Sequence, residues 1–229
     1  MTLRRRASPI PRTAARRPAR APRPLPDCIQ PGVRVLLVGI NPGIRSAEIG
    51  HHFAGYSNRF WKLLYESGLV PEPIRTEQDR RLPEWRYGIT NLVARATPGI
   101  GDLRPDEYSA GRRRLAATIR RFRPAVVALV GVTLYRALFA GVGRAGAKGR
   151  AGAAGGSGAA GRAGAAGGAG AATVLGLRPE KLGGADVFVL PNPSGRNANF
   201  SYAEMLDAFR ALKRHVDALP AYVVATRRT

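Results

Sequence analysis

The sequence predicts an α/β fold: a three-layer α/β/α sandwich built on a four-stranded parallel sheet. Three observations carry that expectation. Near-continuous apolar runs such as Val33–Ile40 (VRVLLVGI) suit strands covered on both faces. Between them lie stretches with apolar residues three and four apart, the spacing of amphipathic helices. Two sharp turns, Gly39-Ile40-Asn41-Pro42-Gly43 and Pro191-Asn192-Pro193-Ser194-Gly195, each follow an apolar run and each carry an Asn before a Pro. In an open parallel sheet such turns sit at the carboxyl ends of strands, where ligands bind.

The elements follow in chain order. Val33–Ile40 is the first strand. Ser57–Ser67 reads as a helix: Ser57 suits the N-cap, Phe60, Leu63 and Leu64 form a stripe, and Gly68 closes it. Tyr87–Val93 is a shorter strand, and Ser109–Phe122 an Arg-rich amphipathic helix stopped before Pro124. Ala125–Gly131 is the third strand, Thr133–Phe139 a short helix and Val187–Leu190 the fourth strand. Tyr202–Leu219 is a terminal helix with Met205, Phe209, Leu212 and Val216 turned inward.

Composition divides the 229 residues into one domain, 31–220, with appendages. Residues 1–30 form a basic tail, whose first 26 residues hold eight arginines and no acid. Such a segment buries too little apolar surface to offset its ordering entropy, so disorder is expected. Its prolines (Pro9, Pro11, Pro18, Pro22, Pro24 and Pro26) break the amphipathic helix that a transit peptide needs. No apolar stretch follows Arg4-Arg5-Arg6, so a secretory signal is not expected. Residues 141–172 are almost entirely Gly and Ala and read as a flexible surface insertion in the domain. Residues 221–229 form a second basic tail. The longest aliphatic run, Ala125–Val132, is far short of a membrane span. A lone Cys28 excludes disulfides, zinc clusters and iron–sulfur ligation from within one chain. A soluble, cytoplasmic monomer is expected, associated with the nucleoid if the source is bacterial. The net charge of +22 makes nucleic acid the expected partner.

Three constellations carry the chemistry. In the first turn, Pro42 holds the preceding residue extended and projects the Asn41 side chain from the strand end, while Gly39 and Gly43 permit the turn. The second is His51-His52-Phe53, with Asn58-Arg59-Phe60-Trp61 close behind. A His pair invites a metal, but no thiol and no set of acids that would complete a ligand shell lies near it in the sequence, so none is expected. Phe53, off any periodic face, suits stacking on a planar base, whereas Phe60 and Trp61 suit the core. The third is Asn192 to Phe200, a small-residue turn with Arg196 at its apex that runs straight into a helix. Its backbone amides suit phosphate, and its apex side chain could fill a gap in a base stack.

Together, GINPG, then GHHF with NRFW behind it, then NPSG near the C-terminus resemble the mismatch-specific uracil/thymine DNA glycosylases of the uracil-DNA glycosylase superfamily. The resemblance covers roughly Pro31 to Leu219, apart from the Gly/Ala insertion. It implies a uracil-DNA glycosylase-like sheet with DNA lying across the strand ends. It also implies a monofunctional enzyme that flips uracil, ethenocytosine or thymine opposite guanine out of double-stranded DNA and hydrolyses the N-glycosidic bond. Asn41 would position the attacking water, because an amide orients water but is no general base near neutral pH. Amide donors near Ile40 would hold the charge of the departing base, and Phe53 would stack on it. Ser46 matches the position beside carbon 5 and hints at uracil over thymine. Asn91 falls near the base edge, and Asn192 replaces a His of the uracil-specific branch and is expected to contact the base. Ser194 lies in the phosphate-binding turn, Arg196 is the expected wedge, and Gly195 and Asn197 would read the widowed guanine through backbone groups. No cofactor is implied, and with no Lys in either motif no Schiff-base strand cleavage is expected. Two rivals stay open: a non-catalytic DNA-binding protein on this fold, and a doubly wound nucleotide-binding enzyme. The latter lacks both glycine-rich phosphate motifs after the first strand.

Overall fold

A computed structural model describes residues 24–139 and 174–220. The expectations for the rest of the basic tail, the insertion at 141–172 and the tail at 221–229 lie outside the described residues. Five strands form one sheet: β1 (Val35–Gly39), β2 (Tyr87–Asn91), β3 (Val126–Val130), β4 (Gly176–Leu182) and β5 (Ala185–Leu190), in the order β2-β1-β3-β5-β4. The four expected strands pair in parallel. β4 is an addition to the expected sheet, an antiparallel edge strand on β5. Its sequence, GLRPEKL, alternates half-buried and exposed positions and lacks the apolar run of a covered strand. The hairpin is closed by Gly183-Gly184, both at positive φ, which the tight two-residue turn requires.

Among the described residues five α-helices flank the sheet: α1 (Ile44–Ile49), α2 (Phe60–Glu66), α3 (Pro105–Phe122), α4 (Val132–Phe139) and α5 (Tyr202–Ala218). Two 3-10 segments among these residues, Thr76–Trp85 and Ile100–Asp102, fill connections. α2 starts later than expected because Asn58 rather than Ser57 supplies the side-chain acceptor, taking the Phe60 N–H at 3.0 Å. α3 starts a turn earlier, with Pro105 in its first position and Glu107 folded back onto the Arg104 N–H at 2.8 Å.

The strand alternation sorts the core into two layers. Val35 and Leu37 face Phe60, Leu63 and Leu64 of α2 and Met205 and Phe209 of α5. Leu36 and Val38 face Leu115 and Ile119 of α3 and Leu134 of α4. Burial of each such side chain contributes about 1.5–3 kcal/mol. No described helix is long and apolar enough to cross a membrane.

The fold begins earlier than residue 31. Leu25 is buried, and Cys28 exchanges both backbone hydrogen bonds with Ile89 at 2.9 and 2.8 Å, covering the outer edge of β2. Residues 25–30, expected in the basic tail, thus include a buried side chain and a backbone bridge to the sheet edge. Burial pushes the Cys28 thiol up to about 11, so it is inert near neutral pH.

α3 is seated by Gly111, where an added Cβ would lie 2.3 Å from the Leu92 carbonyl oxygen. Arg114, on the same helix, donates to the carbonyls of Asn91 and Leu92. Gly111→Ala gains about 1 kcal/mol of helix propensity. The collision is with backbone, which gives little, so overpacking outweighs that gain at about 1–3 kcal/mol. The variant is expected to unfold at a lower urea concentration than the parent; an unchanged or higher midpoint would refute the close-approach account.

Candidate active site

β1 and β2 run parallel in register, with Gly39 opposite Asn91 at their carboxyl ends. The loops that follow both strands therefore open on the same edge of the sheet. Pairing continues past the strands, Leu92 and Val93 donating to the carbonyls of Gly39 and Ile40 at 2.8 Å each. Neither Gly39 nor Gly43 has a positive φ, so backbone freedom is not what the turn needs. Gly39 serves close approach instead. A Cβ there would sit 2.5 Å from Asn91 Oδ1 and 3.5 Å from the Phe53 ring. Gly39, Asn91 and Phe53 thus meet at one point, above the sheet's carboxyl edge.

Asn41 leaves β1 into this crevice, half-buried. Its Nδ2 donates to Thr97 Oγ1 at 2.7 Å, and to the carbonyls of Pro42 at 3.1 Å and Arg95 at 3.4 Å. The Thr97 hydroxyl is itself committed as a donor to the Gly99 carbonyl at 2.5 Å. It can therefore only accept from Asn41, and this fixes which end of the amide faces it. Oδ1 is left without a partner among the described residues, the end suited to hold a water. Thr97 is a site residue that the sequence reading missed. Its signal was present in the Thr97-Pro98-Gly99 turn, which follows β2 much as Asn41-Pro42-Gly43 follows β1.

Ile40 itself is a core residue, packed toward the α3 side, so only its backbone could meet a ligand. Asn91 is 8% exposed, and among the described residues its amide group makes no hydrogen bond while its carbonyl accepts from Arg114. Ser46, on α1, is buried, and its Oγ accepts the Ala54 N–H at 3.0 Å. Phe53 adopts φ +51°, the left-handed region that a bulky residue avoids, and stacks on Phe60 with centroids 3.9 Å apart.

Behind Phe53 lies a cluster no motif announced. The Asp79 carboxylate, from the first 3-10 segment, meets His51 Nδ1 at 2.9 Å, the His52 N–H at 2.9 Å and His52 Nδ1 at 3.1 Å. An acid does accompany the His pair, brought by the fold from a distant part of the sequence. No group of three metal-ligating side chains is found among the described residues. Burial pushes the Asp79 carboxyl up, but the hydrogen bonds from His52 and His51 outweigh it and hold it at about 2.

The turn after β5 supports itself. Asn192 Oδ1 accepts the Ser194 N–H at 3.0 Å, and Asn197 Nδ2 donates to the Asn192 carbonyl at 2.8 Å. Asn192 thus shapes its own turn through its side-chain oxygen and its backbone carbonyl. Gly195 presses on the loop before α2, where a Cβ would lie 2.4 Å from Ser57 Cβ, and Arg59 N–H bonds the Pro193 carbonyl at 3.0 Å. The exposed Arg196 reaches over to the Pro98 carbonyl at 3.1 Å, joining the third turn to the loop that holds Thr97. The structure therefore brings Asn91 and Phe53 together at Gly39, with Asn41 two residues beyond it and Ser46 bonded to the residue after Phe53, and ties the turn of Ser194 to Asn197 to the Thr97 loop through Arg196.

A sequence profile of the Uracil DNA glycosylase superfamily matches residues 26–213, which includes every site residue named above. The chain belongs to the uracil DNA glycosylase superfamily. Its fold is also similar to the solution NMR structure of a protein from Methanosarcina acetivorans named as a candidate uracil DNA glycosylase. That match has 16% identity and a TM-score of 0.50, and spans 86% of this chain and 99% of the other. At that identity the likeness supports the fold alone.

The Asp79 carboxyl titrates lower folded than its ordinary value of 3.8, so it contributes stability above about pH 4 that is lost as pH falls toward 2. The melting temperature of the parent should drop across that window more steeply than that of Asp79→Asn. Parallel curves for the two proteins would contradict the placement of the carboxylate.

Proposed function

We propose that this chain is a monofunctional DNA glycosylase that excises uracil opposite guanine from double-stranded DNA, acting as a single chain and without a metal or cofactor. The observation that carries this reading is the Asn41 amide, oriented by Thr97 so that Oδ1 is left to hold a water, two residues beyond the glycine at which Asn91 and the Phe53 ring meet.

In this reading the target base leaves the stack and lies against Phe53. The Asn91 amide meets the pyrimidine edge, Oδ1 accepting the N3 proton and Nδ2 donating to the O4 carbonyl. Asn41 Oδ1 accepts a hydrogen bond from a water and aims its lone pair at C1′ of the sugar. The C1′–N1 bond breaks, the water oxygen bonds to C1′, and its surplus proton passes to solvent. Uracil departs as the N1 anion, its charge spread over both carbonyl oxygens and held by backbone amides near Ile40 and by Asn91. An amide does not remove a proton, so the acceleration comes from positioning and leaving-group stabilisation.

Specificity follows from the walls. Ser46 Oγ accepts from Ala54, so its own proton remains to meet a polar edge, and its bulk favours hydrogen over a methyl group at carbon 5. Arg196 would exchange its Pro98 contact for the gap in the duplex, while the amides of Gly195 and Asn197 face the widowed guanine.

Single-turnover release from duplexes holding uracil, ethenocytosine or thymine opposite guanine tests this reading. The parent should release uracil, and thymine more slowly; Asn41→Ala should lose about 100-fold or more, the scale of a misplaced reactant. Thr97→Val keeps its shape but frees the amide to turn, and should lower the rate about tenfold with duplex affinity unchanged. Tight binding without release from any duplex would favour a DNA-binding protein on this fold.

A further inference from the structure

We infer that Asp79 is a positioning residue that sets Phe53 as the platform for the extruded base. The inference deepens the glycosylase reading and rests on it. Phe53 holds a backbone conformation that its side chain disfavours, so something outside the residue must enforce it. Its flanking peptide groups show what does. The His52 N–H goes to Asp79 Oδ2 at 2.9 Å, and the His52 carbonyl accepts from Trp61 Nε1 at 3.2 Å. The Ala54 N–H goes to Ser46 Oγ at 3.0 Å, and the Ala54 carbonyl accepts from Arg45 Nε at 2.9 Å. Four side chains from three elements thus pin the two residues on either side of Phe53.

Asp79 holds more of this loop than the other three. It lies on a separate segment and is itself buried, and both its oxygens serve the His51-His52 pair. The His52 ring is 2% exposed, and its Nε2 has no partner among the described residues. Without Asp79 its Nδ1 and its backbone N–H would be orphaned as well. A buried ring with both nitrogens unpaired does not stay buried, so the loop would move to reach water and carry Phe53 with it. The Asn41–Thr97 arrangement shares no hydrogen bond with this cluster, so water positioning and base stacking are separable.

The test uses the full chain and two duplexes: one holding 2′-fluorodeoxyuridine opposite guanine, which resists cleavage, and one holding an abasic-site analogue. Only the first offers a base to Phe53. Asp79→Asn should weaken binding of the uracil duplex about tenfold, the scale of one lost base–aromatic stack, and leave the abasic duplex unchanged. His51→Gln, a milder cut of the same contact at a partly exposed residue, should move the same ratio in the same direction by less. Equal weakening of both duplexes, or none of either, would overturn the inference. Single-turnover uracil release by the parent separates the two failures. Its absence sinks the glycosylase reading and this inference with it; its presence beside an unmoved ratio sinks this inference alone.

Discussion

Parallel pairing of β1 with β2 governs the site more than any single side chain does. The register that sets Gly39 against Asn91 aligns the carboxyl ends of two strands, and both following loops then leave the sheet together. From that alignment come the approach of Asn91 and Phe53 to one glycine and the reach of Thr97 to Asn41. A slip of one residue would turn every strand side chain to the other face and dismantle both core layers. The apolar residues that fill those layers thus fix the crevice's geometry, although none of them touches its chemistry.

The crevice is held by polar contacts between side chain and backbone. Thr97 and Gly99 lock the Asn41 amide; Asp79, Trp61, Ser46 and Arg45 lock the peptides beside Phe53; Asn192 and Asn197 lock the third turn. Preorganised groups need no rearrangement when charge develops, and that is where a site lacking a general base must find its rate. The one buried carboxylate nearby, Asp79, has both oxygens taken by histidines and is a support.

Much of this was legible in the sequence because strand and turn signals are local. The apolar runs located the four parallel strands, and the two Asn-Pro turns fall beyond the carboxyl ends of β1 and β5, as expected. β4 was hidden by its polarity, since an edge strand half in solvent has no covered-strand pattern. The start of the fold at Leu25 was hidden by prolines and by proximity to an arginine-rich stretch. The Asp79 cluster was illegible for another reason: the acid and the histidines are distant in the chain, and only the fold makes them neighbours. The turn at Asn192 was legible as a turn, but the hydrogen bond by which its side chain closes that turn on Ser194 was not.

In the proposed reaction one extruded pyrimidine is held between the Phe53 ring and the Asn91 amide, within reach of a water on Asn41. A crystal structure with a duplex carrying 2′-fluorodeoxyuridine opposite guanine tests it most directly. The account predicts the base out of the stack, its ring face on Phe53, its edge on Asn91, and a water between Asn41 Oδ1 and C1′. A base still stacked in the duplex, or lodged away from Phe53 and Asn91, would contradict it.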